Sequence, residues 1–143
     1  MAQITLPGRS VPQRGDYSYT AEFPVAAGQT LIEGGLVALN AAGYLVRATA
    51  TTGLRRFGIF TADGIGLTCD NSAGANGDKW AKVKFGNFKF FNKAADLVTA
   101  ASTAVAVEDD QTVRATTAGS STIAATWVMD RDDGLPWVFL KYE

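Results

Sequence analysis

Apolar residues in this chain come in short alternating runs, each closed by glycine, asparagine or aspartate, and that rhythm admits strands and little else. Tyr17, Tyr19, Ala21, Phe23 and Val25 share one parity while Ser18, Thr20 and Glu22 hold the other, the period of a half-buried strand. Gly28 closes this run. Leu36–Leu39 and Tyr44–Ala48 flank Asn40-Ala41-Ala42-Gly43, a short loop with Asn first and Gly last that suits a hairpin. Phe57–Thr61 and Ile65–Cys69 predict a second strand pair, broken at Asp63-Gly64. Asp70–Asp78 is dense in Asn, Asp, Ser and Gly and predicts a loop. Along Trp80–Phe91, Ala81, Val83 and Phe85 face one way and Lys82 and Lys84 the other. Beyond Gly86-Asn87 the apolar parity changes to Phe88 and Phe90, which predicts a bulge or sharp bend at the glycine. Further strands are predicted over Ala104–Val107, Thr112–Ala115, Thr122–Met129 and Trp137–Tyr142. Asp96–Ser102, rich in Ala and Thr, is the one place for a short helical turn. The expectation is an all-β fold, a small β-sandwich or barrel-like domain with an extended N-terminal arm and at most one short helix.

The arm is residues 1–16, where Pro7, Gly8, Pro12 and Gly15 favour extended backbone over independent packing, and the β-rich domain is residues 17–143. A length of 143 residues suits one domain with a real core. The strand patterns assign Phe23, Leu36, Val37, Phe60, Val83, Phe85, Trp127, Val138 and Leu140 to that core.

Composition removes several functions. The chain has no histidine, which excludes Ser–His and Cys–His nucleophilic systems and the usual general base near neutral pH. Cys69 is the single cysteine, so neither an intrachain disulfide nor a Cys-x-x-Cys site is available. One reduced thiol suits assembly in a cytoplasm. A net charge of −1 with scattered basic residues, the densest pair being Arg55-Arg56, gives no footprint for nucleic acid. No signal-peptide pattern opens the chain, and no apolar stretch approaches the roughly 20 residues that span a bilayer. Glu108-Asp109-Asp110 and Asp130–Gly134 supply clustered acids, but both read as turns facing water. The second lacks the terminal Glu of a calcium loop, with Lys141 at that position. No catalytic residue, metal site or cofactor is expected.

The aromatics carry more information. Phe85, Phe88, Phe90 and Phe91 are interleaved with lysines, a pattern that fits core on one face with snorkelling lysines on the other better than a single-stranded nucleic-acid grip. Some of these rings suit a subunit interface. Trp80, Trp127 and Trp137 offer flat rings that could stack on sugars, so a carbohydrate- or receptor-binding β module of a phage particle is the alternative reading.

Three stretches together resemble the capsid cement, or head decoration, proteins of tailed bacteriophages. The first runs from Val25-Ala26-Ala27-Gly28 through Glu33–Tyr44. The second is Asp70–Gly74 with Gly77-Asp78, a basic strand and Gly86-Asn87-Phe88. The third is Val105–Val113 followed by Asp130–Val138. The chain departs from the family where Ala124-Ala125-Thr126 stands in place of a glycine before the last long strand. The resemblance implies a non-enzymatic minor capsid protein that binds the phage major capsid protein on the outer surface of the virion head. It implies assembly in the host bacterial cytoplasm as a homo-oligomer, trimer or dimer, with no nucleic acid and no membrane as partner. It transfers no site residues. From the arm and the aromatic segments, Arg9, Arg14, Tyr17, Tyr19, Phe88 and Phe91 stand as candidate contacts to the capsid or to a neighbouring copy.

Overall fold

The computed structural model describes residues 3–5, 8, 13–62, 66–98, 104–123, 127–130 and 133–141; within it, side chains are described for all but residues 13–18 and 127–129. The fold is all-β, and the described residues contain no helix. The Asp96–Ser102 turn falls partly outside them, and its described part, residues 96–98, is not helical.

The largest sheet is built on β7 (Trp80–Lys89). Along one edge of β7 runs β1 (Gln13–Pro24), antiparallel. Along the other edge two strands lie end to end. β5 (Arg55–Thr61) pairs with Lys82–Lys84, and β13 (Pro136–Leu140) pairs with Gly86–Lys89. β5 continues to β3 (Leu36–Leu39) and β4 (Leu45–Arg47), while β13 continues to β12 (Trp127–Met129). β3 and β4 form the predicted hairpin. The Asn40 side chain accepts the Ala42 and Tyr44 amides, both at 3.0 Å, and Gly43 takes the left-handed φ of 89° that closes the loop.

Each face of this sheet carries a core over part of its extent. A four-stranded sheet covers one, in the order β11 (Thr122–Ile123), β9 (Val105–Val107), β10 (Thr112–Arg114) and β8 (Phe91–Asn92). Its Val105, Val107, Val113 and Ile123 pack with Leu36, Ile59, Phe88, Phe90, Val138 and Leu140. A two-stranded ribbon of β2 (Gln29–Ile32) and β6 (Thr68–Asn71) lies beside the second core, where Leu31 meets Val25, Val37, Phe60, Val83 and Phe85. The sandwich therefore carries an additional ribbon. The same β3 strand serves both cores, Leu36 and Ala38 on one side and Val37 and Leu39 on the other.

Two sequence expectations change. The predicted pair Phe57–Thr61 with Ile65–Cys69 does not form: β5 pairs β3 and β7, and β6 pairs β2. The irregularity expected at Gly86 is present in the β1–β7 ladder, but it changes strand, since β7 itself keeps regular register against β5 and β13. Strict alternation sends Phe85 to one face and Phe88 and Phe90 to the other, and a sheet with a separate core on part of each face accommodates both. The irregularity lies in β1, where Arg14 opposes Asn87 and the next paired residue is Ser18 opposite Gly86.

Of the assigned core, Leu36, Val37, Phe60, Val83, Phe85, Val138 and Leu140 are buried. Phe23 is only partly buried, packing edge-on against Phe85 at 6.4 Å between ring centroids. The Trp127 side chain lies outside those described.

Candidate functional site

The N-terminal stretch was expected to stand apart from the domain, and the structure ties part of it down. β1 begins at Gln13, inside the 1–16 segment. Ile4 is 4% exposed and contacts the body beside Gly35. Its amide donates to Asp110 Oδ1 at 2.9 Å, and its carbonyl accepts Arg47 Nη2 at 2.7 Å. Arg47 closes the clamp by donating Nε at 3.0 Å and Nη2 at 2.7 Å to Asp110 Oδ2. The Asp110 carbonyl accepts the Leu36 amide at 2.7 Å, which fixes the acidic turn to β3. Gly8 sits at φ 90°, and a Cβ there would lie 2.7 Å from the Glu33 carbonyl, so the segment crosses the Glu33 turn closely.

This clamp was not visible in the sequence. Asp110 reads locally as a solvated turn residue, whereas it is 1% exposed. Its partners lie 63 and 106 residues away, and no local pattern encodes such distances. The neighbouring acids are also engaged. Glu108 pairs with Lys93 and Arg114, both at 3.1 Å. Asp109 accepts the Gln111 amide at 3.0 Å, and burial pushes its carboxyl above the ordinary range. Asp130 and Asp133 pair with Lys89 at the β12–β13 turn, and Asp130 also accepts the Trp137 indole N–H at 3.1 Å. Hydrogen bonding to Lys89 holds Asp133 below the usual carboxylate range. Each acidic cluster thus has a structural task.

The candidate contact residues separate. Arg9 lies outside the described residues; Arg14 and Tyr17 are described only as backbone of β1. Tyr19 is 45% exposed, its ring tilted against Phe85 with centroids 6.4 Å apart. Phe88 is corrected: at 2% exposure it belongs to the core between the two larger sheets and offers no surface to a partner. Phe91 is half-buried in β8, its amide donating to the Gln111 carbonyl at 3.0 Å. Among the described residues, no strand pairs with the outer edge of β1.

The tryptophans separate as well. Trp137 is 7% exposed and committed to Asp130, whereas Trp80 is 61% exposed. Trp80 opens β7, cross-strand from Pro24, on the parity of Lys82 and Lys84. It stands at a groove of about 340 Å³ with Phe60 and Ala81 in its lining and Glu22, Asp70, Lys79 and Lys82 as its charged members. Asp70 Oδ1 accepts Thr30 Oγ1 at 3.1 Å and the Ser72 amide at 2.9 Å. Hydrogen bonds from Ser72 and then Thr30 hold that carboxyl below its ordinary range. Half-buried Cys69 also lines the groove, and burial pushes its thiol up.

No protein-family model, curated protein or solved structure matches the chain.

Proposed function

We propose that this chain is a decoration, or cement, protein of a tailed-phage head, bound as a homo-oligomer (trimer or dimer) to the major capsid protein on the outside of the lattice. The sequence resemblance supports this reading, and one structural observation carries it further. β1 is a 12-residue strand that leads directly from the N-terminal segment, with no described strand on its outer edge. Such an edge presents a row of backbone donors and acceptors, which a strand from a neighbouring chain can complete. Main-chain pairing of this kind gives affinity without an active site. Tyr19 projects from the same strand and supplies an amphipathic ring of the type enriched at interfaces.

Cement function then follows from mechanics. A subunit that contacts two neighbouring capsid proteins adds contacts that must break before the lattice can open. Closed symmetric oligomers suit this task because they match local symmetry axes of the shell. Mixing the purified protein with empty heads of its phage and sedimenting them tests the proposal. The protein should co-sediment to a saturating, fixed copy number per head and raise the temperature at which heads rupture. Protein left in the supernatant at every concentration would overturn it.

A further inference from the structure

We propose that the groove beside Trp80 is a binding site for a neutral oligosaccharide. The proposal does not rest on the decoration reading. Among the described residues, Trp80 is the most exposed of the large apolar side chains. A ring left in water beside a concavity is an unsatisfied apolar surface, and the flat C–H face of a pyranose matches its shape and size. The groove's volume of about 340 Å³ is at the small end of ligand sites, suited to one or two sugar rings.

Charge selects the ligand class. The two acids in the described lining, Glu22 and Asp70, balance the two lysines, Lys79 and Lys82. A rim with no net charge gives neither an anion nor a cation an advantage. It offers carboxylate acceptors beside ammonium donors, and sugar hydroxyls both donate and accept. Asp70 is held in place by its bonds to Thr30 and Ser72, so its orientation is set before a ligand arrives. Thr61 and Thr68 add hydroxyls to the lining.

Cys69, the chain's single cysteine, is a reporter inside the groove. Its alkylation by N-ethylmaleimide can be followed at mildly alkaline pH, chosen because burial raises the thiol and the thiolate is the nucleophile, in the presence of maltohexaose, cellohexaose, laminarihexaose or chitohexaose. At least one of these should slow alkylation by about tenfold at saturation, with binding in the millimolar range usual for a small open site. Trp80→Ala should abolish the protection without moving the thermal midpoint, and Trp80→Phe should restore part of it. The proposal fails if none of the probes changes the rate, or if Trp80→Ala is protected as well as the parent. It also fails if the rate drops with protein concentration alone while the mass in solution doubles, which would make the groove's occupant a second copy.

Discussion

Replacing Asp110 with alanine removes the centre of the clamp that holds the N-terminal segment. Three hydrogen bonds to its carboxylate disappear, two from Arg47 and one from the Ile4 amide. The Arg47 side chain is 20% exposed and the Asp110 side chain 1%, so the pair is largely out of water. Breaking a buried pair from one side costs about 3–5 kcal/mol, because the remaining charge is left without compensation. Arg47 can turn partly to solvent and keeps the Ile4 carbonyl as a partner, which places the loss near the lower end, about 3 kcal/mol. For a chain of this size each kcal/mol moves the thermal midpoint by about 2–4 °C, so the midpoint should fall by about 6–12 °C. Deleting residues 1–8 should cost a similar amount, since it forfeits the burial of Ile4, about 2 kcal/mol, together with its two hydrogen bonds to the clamp. Urea unfolding with an unchanged slope would place the effect in the native state. A midpoint for Asp110→Ala within about 1 °C of the parent would refute the clamp.

Three further outcomes follow from the same packing. Gly58→Ala should cost about 1–3 kcal/mol in urea unfolding, because a Cβ there would run into Val83 and the β7 backbone. Phe85→Ala, which empties the ring position at the centre of the second core, should cost about 3–5 kcal/mol by the same assay. Burial raises the Asp109 carboxyl, so the native state binds its proton more tightly than the unfolded chain does. This group therefore subtracts stability as pH rises from the ordinary carboxylate range through its folded value. Asp109→Asn should unfold at a higher temperature than the parent at neutral pH, with the gain vanishing in acid below that range; an equal or lower midpoint at neutral pH would contradict it.

The parts of the fold legible in the sequence are those fixed locally. The β3–β4 hairpin is one, because Asn40 and Gly43 carry its loop chemistry within the loop itself. The all-β class is another, since alternation with frequent turn residues leaves no helical face. Partner choice was not legible: β6 looks as suitable for β5 as for β2, and only the packing of Leu31 against the second core decides. Phe88 shows the same limit from another side. Its parity is plain, but whether that face meets solvent or a second sheet depends on residues 105–123, far along the chain. Asp110 is the clearest case, a turn acid by every local sign that is buried by a segment at the other end of the chain. Trp80 carried a usable signal, since it shares the parity of the lysines that flank the solvent face.

Electron microscopy of empty heads incubated with the purified protein, beside untreated heads, tests the decoration proposal most directly. The proposal predicts added density on the outer surface at one class of symmetry-related lattice positions, with β1 and Tyr19 facing a neighbouring chain. Heads whose outer surface is indistinguishable from the untreated shells at saturating protein would contradict it.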